Sequence, residues 1–173
     1  VFPNVTSFDW TQYYIDVVVP DDADAKALSV RLHPYARFTG TLYFDDLMVE
    51  VLDMPNIAGI GGFEGDLPSY WTKGADPSGS TLEWAADQSR HMGKSLKITK
   101  DATDEAAMWT SDNMADFWAP VHNKDQDIFV GAYVRTEGVN TNPASDDAKW
   151  YISYAFYDSV GTLIGETKLD IDQ

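Results

Sequence analysis

Apolar and polar positions along this chain exchange places over short distances. Short alternating or β-branched runs are separated by clusters of Gly, Pro, Asn and Asp, the pattern of an antiparallel all-β domain. The runs predict strands over Tyr13–Val19, Ala27–His33, Thr41–Leu52, Ser95–Thr99, Ala107–Thr110, Asp127–Arg135, Trp150–Tyr157 and Leu163–Ile171. No long segment keeps a helical period, and Asp112–Trp118 has room for one helical turn. Asp158–Thr162 is the turn of a hairpin between two aromatic-rich strands. The Pro- and Gly-rich stretch after Leu52 is a connector, and Glu137–Asp147 is a loop long enough to sit at a binding edge. Within Trp150–Tyr157, alternation places Trp150, Ile152, Tyr154 and Phe156 on a core face, and Tyr151, Ser153, Ala155 and Tyr157 on a face of small and amphipathic residues. The same rule separates Ile128, Val130, Ala132 and Val134 from Phe129, Gly131, Tyr133 and Arg135.

Composition narrows the class. At 173 residues, 44% hydrophobic and 13% aromatic, the chain has the length and core-forming material of one folded domain. Its formal charge of −16 and pI near 4.2 repel nucleic acid and anionic membrane surfaces, so neither is expected as a partner. Without cysteine there is no disulfide, thiol nucleophile or thiolate metal site. The chain begins at Val1 and carries no signal-like or spanning apolar run, which reads as a processed or excised piece of a secreted, extracellular protein. Asn4-Val5-Thr6 matches a glycosylation acceptor, a three-residue pattern that also arises by accident.

Two groups of phrases carry a resemblance. One is Gly61-Gly62-Phe63-Glu64, then Pro68 and Trp71, then Gly93-Lys94-Ser95-Leu96-Lys97-Ile98. The other is Val17-Val18-Val19-Pro20 with Ala23 and Ala25, then Leu28–Leu32, then Gly40-Thr41-Leu42-Tyr43-Phe44-Asp45-Asp46-Leu47. The first group resembles the opening, and the second the closing, of jelly-roll carbohydrate-binding modules of the family 4, 16 and 22 type. Here the closing phrases come first. The order is that of a circularly permuted domain or of a slice from a tandem array. Because the two parts are complementary and no repeat is visible, 1–173 is expected to form one two-sheet antiparallel β-sandwich. Residues 1–52 then supply the closing strands, 53–61 the connector and 62–173 the opening strands.

The resemblance implies a structural Ca2+. Glu64 and one of Asp45 or Asp46 would be its side-chain ligands, with backbone oxygens near Gly62 and at Arg90 and His91, and Asp87 as a weaker candidate. Physical chemistry makes the Asp45-Asp46 pair notable without it. Two adjacent carboxylates in a strand cost desolvation unless compensated, and Ca2+ takes six to eight oxygens at about 2.3–2.6 Å. The other reading is a strand bulge at a solvent-facing edge, with Glu64 an ordinary surface acid. His33, His91 and His122 show no spacing for a transition metal.

A sugar surface needs a flat aromatic beside polar side chains, and the small and amphipathic face of Trp150–Tyr157 suits one. Trp84, Trp109 and Trp118 lie in polar segments, and Tyr133, Arg135 and Tyr151 sit on the polar-tipped strand faces, so these six are the candidate ligand residues. Asp21-Asp22-Asp24, Asp104-Glu105 and Asp146-Asp147 lie in turn-like contexts as solvated acids, and no nucleophile elbow or phosphate loop stands out. The expectation is a non-catalytic, weak polysaccharide binder. The alternative is a structural or adhesive repeat that self-associates by strand exchange.

Overall fold

A computed structural model describes residues 5–18, 25–35, 37–51, 61–64, 70–74, 79–91, 93–101, 107–112, 127–140 and 149–171. The strands are β1 (Val5–Val18), β2 (Ala27–Pro34), β3 (Thr39–Val51), β4 (Trp71–Lys73), β5 (Ser80–Ala85), β6 (Ser95–Asp101), β7 (Trp109–Ser111), β8 (Asp127–Asn140), β9 (Trp150–Tyr157) and β10 (Leu163–Ile171). They form two antiparallel five-stranded sheets, ordered β1-β8-β3-β6-β5 and β10-β9-β2-β7-β4. The architecture is a β-sandwich, and no helix occurs among the described residues.

The first strands of the chain pair within it. β3 lies between β8 and β6, and β2 lies between β9 and β7. The core between the sheets is built from both ends of the sequence: Leu28, Leu32, Phe38, Leu42, Phe44 and Leu47 pack with Leu96, Ile98, Ile128 and Ile152, all fully buried. Trp150 closes one part of it, edge-on to Tyr13 at 5.4 Å and to Phe44 at 6.0 Å.

Every strand expected from alternation is present, and β8 obeys the expected split. Ile128, Val130, Ala132 and Val134 are buried, whereas Phe129, Tyr133 and Arg135 face outward. Three expectations change. β1 begins at Val5, eight residues before the alternation that predicts it. β8 runs on through Glu137–Asn140, so the loop expected from Glu137 is strand at its start. Alternation predicts neither β4 nor β5, β4 because three residues carry too little pattern and β5 because its inward row is just Leu82 and Trp84. Several other expectations fall outside the described residues: 113–118 of the helical turn, 53–60 of the connector, 141–147 of the loop, the acceptor Asn4, and His122. The loop acids Asp21, Asp22, Asp24, Asp104, Glu105, Asp146 and Asp147 also lie outside them.

The outward row of β9 is the larger correction. Tyr151, Ser153 and Ala155 are buried, so this row is not an open sugar-facing surface. Long side chains from the flanking strands lie over it. Glu166 of β10 accepts from Ser153 Oγ (2.8 Å) and Arg31 Nη1 (3.1 Å), and Arg31 Nη2 donates to Tyr157 Oη (2.6 Å). Lys168 stands 4.5 Å from the Tyr151 ring centre, while His33 and Tyr35 pack on the same ring at 3.5 and 4.4 Å.

His33 is buried in that cluster, and its Nδ1 has no hydrogen-bond partner among the described residues. Burial, reinforced by the charges of Lys168 and Arg31, lowers its pKa to about 3. A lowered histidine pKa contributes stability that is complete above the unfolded value of 6.5 and is lost as pH falls towards 3. At about 1.36 kcal/mol per pH unit the contribution is at most about 5 kcal/mol. Chemical denaturation from pH 7 to 3.5 is expected to show wild type losing stability that His33→Phe retains. A gap between the two that does not vary with pH would remove His33 as the cause.

Candidate functional site

Among the described residues the outer face of the first sheet is the more open of the two, and its geometry starts from Asp45 and Asp46. Pairing of β3 with β8 shifts register between Asp45 and Met48, and Asp46 has φ of +46°. This is a β-bulge with Asp in the left-handed region, which Asp tolerates better than most side chains. The bulge part of the sequence reading therefore holds, but its position does not. β3 is a central strand and Asp45 is fully buried.

Backbone donors compensate that burial. Asp45 Oδ1 accepts from Asp46 N (2.8 Å), and Oδ2 accepts from Arg90 N (2.7 Å) and His91 N (3.3 Å). Burial nevertheless pushes the Asp45 carboxyl up to about 6, against the effect of these bonds and with help from the charge of Asp46. Asp46 Oδ2 takes Arg90 Nη1 and His91 Nδ1, the latter at 3.0 Å. The Arg90 guanidinium lies 3.6 Å from the centre of the Tyr133 ring. From the other side, Gly61 O accepts from Leu47 N (3.0 Å). These groups enclose a cleft of about 390 Å³, walled by Asp46 and Met48 of the bulge, Gly61 and Gly62, Arg90 and His91, and Tyr133.

Further along the face, charged groups link all five strands. Arg135 binds Asp9 (3.3 Å) and Glu137 (3.2 Å), and Tyr43 Oη lies between Glu137 (3.5 Å) and Asp87 (3.4 Å). Lys97 closes the series on Asp87 (2.9 Å) and Glu83 (3.3 Å). The hydrogen bond from Lys97 holds Asp87 below the usual carboxylate range. At the opposite end Tyr14 is 57% exposed, and its ring lies on Phe129 at 5.0 Å and 25°. Gly131 makes room for that stack: a Cβ there would stand 3.0 Å from Tyr14 Cβ and 3.2 Å from Phe129 Cε1.

The structure brings together Asp45, Asp46, Gly62, His91 and Tyr133, with Arg135 on the same face. The others have different surroundings. Glu64 is exposed and accepts from Lys94 N (3.3 Å). The groups facing these carboxylates are N–H donors, and among the described residues no three His, Asp or Glu side chains are gathered to hold a metal. A calcium cage needs oxygens turned towards one point. Trp109 is core, with Nε1 donating to Lys97 O (3.3 Å). Trp84 packs against the core, donates to Phe63 O (2.7 Å) and has Lys94 over its ring. Tyr151 is buried under the second sheet's side chains, and Trp118 lies outside the described residues. The sequence reading names neither the exposed Tyr14 with Phe129 beneath it nor the Arg90 side chain that walls the cleft. Alternation from Tyr13 onward already puts Tyr14 on the outward row, whereas nothing local marks Arg90.

The cleft wall gives a paired test. A Cβ on Gly61 would lie 1.9 Å from Leu47 O, while one on Gly62 would meet nothing within 4 Å. Gly61→Ala is expected to lower stability by about 3 kcal/mol or more, and Gly62→Ala by less than about 0.5 kcal/mol. Equal effects in denaturant melts would mean that Gly61 does not sit against the bulge.

No family model matches the chain, and neither a curated protein nor a solved structure matches it significantly.

Proposed function

We propose that this chain is a non-catalytic carbohydrate-binding β-sandwich of an extracellular protein, taking polysaccharide across the outer face of its first sheet. The observation that carries the reading is Tyr14, an exposed flat ring held on Phe129. Sugar rings present apolar C–H faces, and an aromatic fixed in place stacks on them without losing rotamer freedom. Gln12 and Tyr133 lie on the same face, with Tyr133 Oη donating to Gln12 Oε1 (3.3 Å). The closing-segment strands β2 and β3 sit inside both sheets, which supports one permuted module over two partial ones.

The acids on this face support binding over hydrolysis. A general acid needs a raised pKa in contact with substrate. Asp87 is lowered by Lys97, Glu137 is paired with Arg135, and the raised Asp45 is buried beneath the bulge, out of reach. The net charge of −16 disfavours polyanionic glycans, nucleic acid and anionic membranes alike.

Titrating β-glucans, xylans, mannans and alginate while following intrinsic fluorescence is expected to show micromolar or weaker binding to a neutral polymer. Tyr14→Ala should weaken it about tenfold with an unchanged melting temperature. Preference for alginate, or binding indifferent to Tyr14, would overturn the reading. Concentration-dependent oligomers without glycan retention would favour the strand-exchange alternative.

Calcium is tested separately. The N–H donors around Asp45, Asp46 and Glu64 lead to the expectation of equal melting temperatures in EDTA and in Ca2+. A rise with Ca2+ that Glu64→Ala abolishes would restore the metal to the reading.

A further inference from the structure

We infer that the cleft between Asp46, Arg90 and His91 is a subsite for the vicinal diol of a neutral pyranose at a chain end or branch. This rests on the carbohydrate reading above and names the part of the ligand that reading leaves open.

Unused hydrogen-bonding capacity points to the ligand. Arg90 donates to Asp46 through Nη1, which also lies 3.2 Å from His91 Nδ1, and its Nη2 and Nε have no partner among the described residues. Asp46 meets both neighbours through Oδ2, which leaves Oδ1 as an acceptor towards the cleft. In the tautomer that carries its proton on Nδ1, His91 donates to Asp46 Oδ2 and its Nε2 is a second acceptor. A hydroxyl both donates and accepts. Two adjacent hydroxyls can therefore donate a hydrogen bond to Asp46 Oδ1 and accept one from Arg90 Nη2 together, which a group with acceptors alone cannot do.

The groups are fixed before any ligand arrives. Stacking on Tyr133 holds the guanidinium, and the three N–H bonds to Asp45 anchor the backbone of residues 46, 90 and 91. Met48 and the Tyr133 ring supply apolar surface for C–H groups. At about 390 Å³ the cleft is near the lower end of ligand-site volumes of roughly 300–1,000 Å³, suited to one or two sugar rings. Charge sets the class. Asp46 already neutralises Arg90, so a uronate would meet a carboxylate without a free cation to answer it.

The test uses calorimetry with a neutral oligosaccharide that wild type binds, the same oligomer with its terminal vicinal hydroxyls methylated, and its counterpart ending in a uronic acid. Methylation and the uronate end are each expected to weaken binding about tenfold, as is Asp46→Asn, a residue that keeps the left-handed backbone. Tyr14→Ala should weaken all three ligands in equal proportion. If methylation and Asp46→Asn change nothing while Tyr14→Ala does, the subsite falls and the platform stands. If wild type binds no oligosaccharide, both fall. The methylated ligand needs no variant, so a misfolded Asp46→Asn does not rescue the inference.

Discussion

The constraint on which the open face depends is the burial of Asp45 in the middle of a central strand. A carboxylate removed from water needs donors, and here they come from the backbone of Arg90 and His91, distant in sequence. That requirement draws the segment after β5 against β3. It also places the Arg90 side chain where Asp46 and Tyr133 can hold it. The bulge turns Asp46 outward, and Leu47 returns to the core one residue later. One strand irregularity thus makes both a buried anchor and a wall of the cleft.

Charge is distributed to the same end. Among 28 acids and 12 Lys and Arg, the cations Arg90, Arg135 and Lys97 are gathered on this face and each is matched to acids. Exposed pairs of this kind add little stability individually. Their effect is orientation: long side chains are held in one arrangement, and no excess positive charge remains to attract a polyanion.

Strand positions were legible from alternation because each strand has a row that must enter the core. Ile128, Val130, Ala132 and Val134 are such a row, and so are Trp150, Ile152, Tyr154 and Phe156. Alternation says which residues share a face; it does not say what covers the other face. Tyr151 and Ser153 are hidden by Arg31, Glu166 and Lys168, which come from strands on both sides of β9. The aromatic candidates fail for a related reason. The polar residues beside Trp109 do not prevent its indole from entering the core once Lys97 O accepts its N–H. At Asp45-Asp46 the local cost was legible, while the compensating donors depend on a tertiary contact that spacing does not encode.

The two outer faces therefore differ by a choice of side chain. On the second sheet, arginine, glutamate and lysine lie flat across the β9 row and remove it from solvent. On the first sheet the corresponding middle position of β8 is Gly131, which has no side chain to cover its neighbours and lets Tyr14 settle onto Phe129. An aromatic needs support beneath it to remain flat and space above it to be reached. Tyr14 has both, whereas Trp84 has its face taken by Lys94 and Tyr151 has no exposed face. Access, more than the number of aromatic residues, is what distinguishes the first sheet from the second.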